Sequence, residues 1–124
     1  MKKLLLSAAF TALTATAAWA AAPVTTVDTG IGPVLAGENG MTLYTFTKDT
    51  TGVSNCYDKC AENWPPLFAD EGAAADGDYS IIERKDGKKQ WAKSGKPLYF
   101  WVKDTKKGDT TGDGVGDVWE VARP

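Results

Sequence analysis

The chain opens with two lysines and one long apolar run, Leu4 to Ala18, after which hydrophobic positions come only in short bursts. A basic start, an apolar stretch of that length and Ala18-Trp19-Ala20 as a small-residue cleavage site predict a secretory signal over residues 1–20 and a single domain over 21–124. No later stretch is apolar for long enough to predict a membrane-spanning helix. The bursts have the length and composition of strands. Val24-Thr25-Thr26-Val27 and Tyr79-Ser80-Ile81-Ile82 are β-branched or aromatic and lie between turn residues. From Met41 to Thr47, alternation puts Tyr44 and Phe46 on one face and Leu43, Thr45 and Thr47 on the other, which predicts a half-solvated strand. Leu98 to Lys103 keeps Tyr99 and Trp101 on the matching face but sets Leu98, Phe100 and Val102 opposite, which predicts a strand buried on both sides. The charged stretch Glu83 to Lys89, centred on Asp86-Gly87, predicts a hairpin turn. Helix is expected only near Tyr57 to Asn63, where Pro65-Pro66 stops it. The expected class is mainly β with one short helix beside the C-x-x-x-C segment.

The bursts repeat. At an offset of 55 positions Gly32 falls on Gly87, Gly40 on Gly95, Leu43-Tyr44 on Leu98-Tyr99, Lys48-Asp49-Thr50 on Lys103-Asp104-Thr105, Asp58 on Asp113 and Trp64 on Trp119. Two copies, about 24–71 and 79–124, are joined by the small, polar segment Gly72 to Asp78. A unit of about 50 residues buries too little surface to be stable alone, so the copies are expected to pack as one pseudo-symmetric domain. At the same offset Trp91 falls on Ala36, with no aromatic counterpart, and it is the aromatic expected to be exposed.

Tyr44-x-Phe46-x-x-Asp49 and Tyr99-x-Trp101-x-x-Asp104 both fit Y-x-[FWY]-x-x-D, and Cys56-x-x-x-Cys60-Ala61-x-x-Trp64-Pro65-Pro66 lies between them. Together these segments resemble the bacterial secreted-repeat family, also described as predicted lipoproteins with a Yx(FWY)xxD motif. The resemblance implies a duplicated extracytoplasmic domain and supplies no substrate. Ala21, not a cysteine, stands directly after the expected cleavage site, so a lipid anchor is not expected here.

Composition narrows the chemistry. The formal charge is −2, and loss of Lys2 and Lys3 makes it more negative, which argues against nucleic acid as a partner. The absence of histidine excludes Ser-His and Cys-His nucleophiles and imidazole metal ligation. In an oxidising compartment Cys56 and Cys60 are expected to be disulfide-bonded. On a regular helix the two Cβ atoms would stand about 5–6 Å apart, so the bond requires a bent or non-helical turn. A structural clip is favoured over a redox pair or soft-metal site.

Two acidic constellations complete the inventory. Asp109, Thr111, Asp113, Val115, Asp117 and Glu120 occupy positions 1, 3, 5, 7, 9 and 12 of a calcium-type loop, with Gly114 at the sharp turn. Calcium binding over 109–120 is therefore the alternative function. Asp49 and Asp104 close the two aromatic strands, where each is expected to cap its own turn. A catalytic carboxylate pair there is the less favoured option. Tyr44, Phe46, Trp64, Tyr99, Trp101 and Trp119 are expected to form a shared core. The expected protein is a soluble module of the periplasm, or alternatively of the medium. It is not expected to be an enzyme, and acts by binding a small ligand or envelope component or as an envelope-associated structural module.

Overall fold

A computed structural model describes residues 21–124; the expected signal segment, 1–20, lies outside the described residues. The fold is mainly β. Strands β1 (Val24–Thr29) and β2 (Gly32–Gly37) form a hairpin, followed by β3 (Tyr44–Phe46) and the five-residue helix α1 (Lys59–Asn63). Strands β4 (Tyr79–Glu83), β5 (Lys89–Lys93) and β6 (Lys96–Pro97) come next, then a 3-10 turn over Val115–Asp117 and β7 (Trp119–Val121). All pairings are antiparallel: β1 with β2, β4 with β5, β5 with β6, and β3 with β7. Among the described residues no helix is long and apolar enough to cross a membrane.

The last of these pairings shows how the repeats meet. β3 belongs to the first repeat and β7 to the second, so each half supplies edges for the other. Tyr44 and Tyr99 exchange backbone N–H···O bonds of 2.8 and 3.0 Å across the pseudo-twofold axis. Leu35 N–H donates to the Ala122 carbonyl and, in the related place, Trp91 N–H donates to the Leu67 carbonyl, both at 2.9 Å. One cluster of buried apolar residues consists of three related pairs: Leu35 with Trp91, Leu43 with Leu98, and Leu67 with Ala122.

Two sequence expectations change. The strand expected over Leu98 to Lys103 is not a regular strand; it makes only isolated bridges, from Tyr99 to Tyr44 and to Pro66. Its equivalent, β3, pairs with β7, but the segment equivalent to β7 is Trp64-Pro65-Pro66, and prolines have no N–H to give a ladder. Phe100 N–H still reaches the Pro65 carbonyl at 2.7 Å. The expected burial of these segments is also revised: Leu43 and Tyr44 are both buried although they point to opposite faces, while Val102 is 49% exposed.

Trp91 is likewise not exposed; it is 2% accessible. Ile81 faces Trp91 in one hairpin and Thr26 faces Leu35 in the other. The true counterpart of Trp91 is therefore Leu35, because the Lys85-Asp86-Gly87 turn is one residue longer than Gly30-Ile31. A shorter return after β5 restores the offset of 55, which is why comparison at one fixed offset missed the slip.

Replacing Trp91 by alanine is expected to cost about 3–5 kcal/mol in urea unfolding. A loss below about 0.5 kcal/mol, the usual range for a surface position, would contradict this placement.

Candidate functional site

At the axis between the repeats stands a stack of four aromatic rings. Trp64 and Trp119, related by the repeat, lie face to face at 3.8 Å and 3°. Trp101 stacks on the outer face of Trp64 at 3.9 Å, and Phe46 on that of Trp119 at 4.2 Å. Tyr44 meets Trp64 edge-on at 5.4 Å, and Tyr99 meets Trp119 in the same way at 5.2 Å. The aromatic core expected from the repeat is thus present.

The two tyrosine hydroxyls define what the acidic residues do. Tyr44 Oη donates to Asp104 Oδ2 at 2.6 Å, and Tyr99 Oη donates to Asp49 Oδ2 at 2.7 Å. Each aspartate therefore holds the tyrosine of the opposite repeat. The second carboxylate oxygen gathers the following loop: Asp49 Oδ1 accepts from Asn55 N–H at 2.7 Å, and Asp104 Oδ1 accepts from Thr111 N–H at 2.9 Å and Thr111 Oγ1 at 2.6 Å. Neither caps only its own turn as expected. With both oxygens of each engaged, the two carboxylates are not set as a free acid and base. Gly112 N–H adds a bond to Tyr44 Oη at 3.1 Å. A Cβ at Gly112 would lie 2.9 Å from both the Trp64 and Tyr44 rings, so only glycine fits there.

A further buried network, which the sequence reading missed, joins the second repeat to the disulfide loop of the first. Arg84, 3% accessible, donates from Nη1 to Ser54 Oγ (3.0 Å) and Gln90 Oε1 (2.8 Å), from Nη2 to the Cys56 carbonyl (2.9 Å) and from Nε to Asp86 (3.2 Å). Its guanidinium also lies 4.4 Å from the Tyr57 ring centre. Ser54 hydrogen-bonds the Tyr99 hydroxyl at 2.7 Å, which joins Arg84 to the Tyr99–Asp49 pair. One signal was available in the sequence: Arg84, one position past the end of β4, follows Ile82 by two positions, which continues the inward-facing phase. The Cys56–Cys60 disulfide is formed, with Cα atoms 5.3 Å apart. Asp58, at φ 55°, bends the chain between the cysteines before α1 begins, which supplies the non-helical turn the bond needs.

The calcium-type loop is not gathered around a point. Asp109 turns back to accept from Thr105 N–H, Lys106 N–H and Lys106 Nζ, and those hydrogen bonds hold its carboxyl down at about 2. Thr111 is occupied with Asp104, Asp113 accepts from Val121 N–H at 3.0 Å, and Asp117 and Glu120 face solvent. Val115 opens the 3-10 turn. Among the described residues no three His, Cys, Asp or Glu side chains converge as a metal site.

An open trough lies where β3, β7 and the β5–β6 turn meet. It has two lobes, of about 210 and 330 Å3, that share Thr45, Ser94, Lys96 and Glu120. Lys93 and Arg123 line one lobe; Phe46, Thr47, Asp49, Thr50 and Thr51 line the other. Among the described residues, Lys93, Lys96 and Arg123 are not within salt-bridge distance of a carboxylate. Lys93 Nζ donates to the Arg123 carbonyl at 3.1 Å, and Arg123 Nη1 to the Ile31 and Pro33 carbonyls at 2.9 Å each. The pseudo-twofold takes Thr45 to Phe100 and Lys93 to Gly37, and there the Phe100 ring sits against Gly37, 2.8 Å from where a Cβ would be. One side of the axis is plugged by an aromatic ring; the other is open and polar.

Two interlocked β repeats, clipped by one disulfide and carrying an open trough on one side, define the class of protein. The chain belongs to a family described as a secreted repeat of unknown function, which matches residues 25–68 and again 80–123. Neither a curated protein nor a solved structure matches it. The family description makes this an exported protein.

Tyr44→Phe and Tyr99→Phe are each expected to lose about 1.5–3 kcal/mol, the range for a hydrogen bond to a charged group, in denaturant unfolding. Changes within about 0.5 kcal/mol for both would contradict the reciprocal bonds. Burial raises the Asp49 carboxyl above the ordinary aspartate range, against the pull of its bonds from Asn55 and Tyr99 and the charge of Arg84. The native state then binds this proton more tightly than the unfolded chain, so the contribution is fully present below about pH 4 and lost as pH rises through the folded value. Wild type should therefore lose stability relative to Asp49→Asn as pH rises from about 4. A difference that stays flat with pH, or moves the other way, would exclude this linkage.

Proposed function

We propose that this protein is a non-catalytic binding module of the periplasm, and that its ligand is a small, hydroxyl-rich anion carrying a carboxylate or phosphate group. The observation that carries this function is the broken symmetry of the trough. Thr45 stands where the other repeat has Phe100, leaving space beside three cations that lack carboxylate partners among the described residues. Lys93, Lys96 and Arg123 suit the anionic group, while Thr45, Ser94 and Thr50 offer hydroxyls to the rest of the ligand. Glu120, on the same wall, disfavours a second anionic group nearby.

The absence of catalysis is supported by the use of the candidate groups elsewhere. Asp49 and Asp104 hold tyrosines and loops, and Cys56 and Cys60 are bonded to each other. The calcium alternative gains no support, because Asp109 and Asp113 are turned into their own loop and strand.

NMR titration with inorganic phosphate and with gluconate tests the proposal. Shifts are expected at Thr45, Ser94 to Lys96 and Glu120 to Arg123, and they should disappear in Thr45→Phe, which installs the plug that the other repeat already accommodates. Absence of shifts with both anions, or equal shifts in Thr45→Phe, would overturn it.

A further inference from the structure

The aromatic stack has features that packing alone does not require. Three indoles lie in unbroken face contact, Trp101 on Trp64 on Trp119, at 3.9 and 3.8 Å. Each inner indole touches the edge of one phenol, Tyr44 at 5.4 Å and Tyr99 at 5.2 Å. Each phenol already points its proton at a carboxylate 2.6 or 2.7 Å away. Trp101, at the half-buried end, has an indole N–H that is shielded from solvent and has no hydrogen-bond partner.

We propose that this stack is a one-electron relay, in which an oxidising equivalent enters at Trp101, passes through Trp64 and Trp119, and comes to rest on Tyr44 or Tyr99. The oxidant is a diffusible one-electron acceptor of the exported compartment, such as a small oxidising radical. It takes one electron from Trp101 and leaves an indole radical cation. With no acceptor at its N–H among the described residues, Trp101 has no local group to take its proton, so the radical remains a strong oxidant and draws an electron from Trp64, and Trp64 from Trp119 in turn.

The phenols end the sequence. An indole radical cation takes an electron from Tyr44 while the phenolic proton crosses to Asp104; on the other side Tyr99 gives its electron to Trp119 and its proton to Asp49. The products are a neutral indole, a neutral phenoxyl and a protonated carboxyl, so charge and atoms balance. A one-electron reductant of the thiol or hydroquinone class then restores the phenol, with the carboxyl returning its proton. Burial raises both phenols and Asp49, which keeps the hydroxyls protonated at rest and makes Asp49 a better proton acceptor.

Composition favours the same route. The chain has no histidine and the described residues hold no free cysteine, so few other side chains compete for oxidation. Such a relay moves an oxidising equivalent from half-buried Trp101 to the fully buried Tyr44 and Tyr99, which are reset by an electron returning through the protein and by the proton held on the carboxyl.

Pulse-generated azidyl radical, which oxidises indole, tests this on the intact disulfide-bonded protein. Transient absorption should show the indole radical decaying as phenoxyl appears, and more slowly in D2O because a proton moves in that step. In Tyr44→Phe/Tyr99→Phe the phenoxyl should be lost and the indole radical should persist, while Tyr57→Phe/Tyr79→Phe should behave as wild type. Phenoxyl that survives the first pair of changes, or vanishes in the second, would overturn the relay. If the first pair prevents folding, wild type still decides. A spin-trap adduct mapped to Tyr57 or Tyr79, or a rate unchanged in D2O, overturns the relay, whereas adducts at Tyr44 and Tyr99 with a slower rate in D2O support it.

Discussion

The structure depends on an exchange between its halves: the tyrosine of each repeat is held by the aspartate of the other. A buried phenolic hydroxyl must have a partner, and a buried carboxylate is costly without donors. In this chain each carboxylate takes one set of donors from its own following loop, but its second oxygen and the phenolic hydroxyl meet only across the repeats. Tyr44 depends on Asp104 and Tyr99 on Asp49, across a Trp64–Trp119 contact that exists only when both repeats are present. The pairing of β3 with β7 and the Leu35–Ala122 and Trp91–Leu67 backbone bonds follow the same rule. A single repeat would leave its stacked ring, its hydroxyl and its strand edge unmet, so a second copy is a physical necessity. Joining the copies through Gly72 to Asp78 makes their association intramolecular and removes the concentration penalty of a dimer.

Symmetry of the framework frees other positions to diverge. Val34 and Gln90 are equivalent in the two hairpins, and both are fully buried. The apolar residue needs no partner; the amide does, and it finds Arg84 and the Leu98 carbonyl. Arg84 in turn is a cation removed from water, a state tolerated because Ser54, Gln90, the Cys56 carbonyl and Asp86 occupy its fork. The disulfide loop is thereby tied to the second repeat through its backbone. The clip matters less for the loop it closes, which is short, than for fixing the Cys56 carbonyl and Ser54 where Arg84 and Tyr99 need them.

Much of the architecture was legible in the sequence, and the failures share a cause. Strand-like alternation, the short helix ahead of Pro65-Pro66, the duplication and the aromatic core all come from local pattern or self-comparison. The role of Asp49 and Asp104 could not, because hydrogen bonds to a tyrosine 50 or 60 positions away leave no local signature. Trp91 was misplaced because a longer turn and a shorter return cancel, so that identities outside the hairpin still agree at 55. The segment after Leu98 reads as a strand in its own composition; what it lacks is a partner able to donate, and that deficit lies in Pro65-Pro66. Glycine and aspartate at calcium-loop spacing misled in the opposite direction. The residue types were right, but Asp109 and Asp113 satisfy backbone N–H groups of their own fold.

Where two halves of a molecule obey the same packing rules, a difference between them that packing does not require is the place to look for function. Across the axis, Phe100 against Gly37 fills a space that Thr45 and Lys93 leave open on the other side. The substitution is from apolar to polar at both positions, and the open side also has Lys96 where its counterpart has Met41, and Arg123 where it has Phe68. Four such changes on one surface do not improve burial. They remove a hydrophobic plug and concentrate positive charge in a chain whose overall charge is negative. On the function proposed above, these local cations are what would draw a small anion to one concavity of a chain that is negative overall.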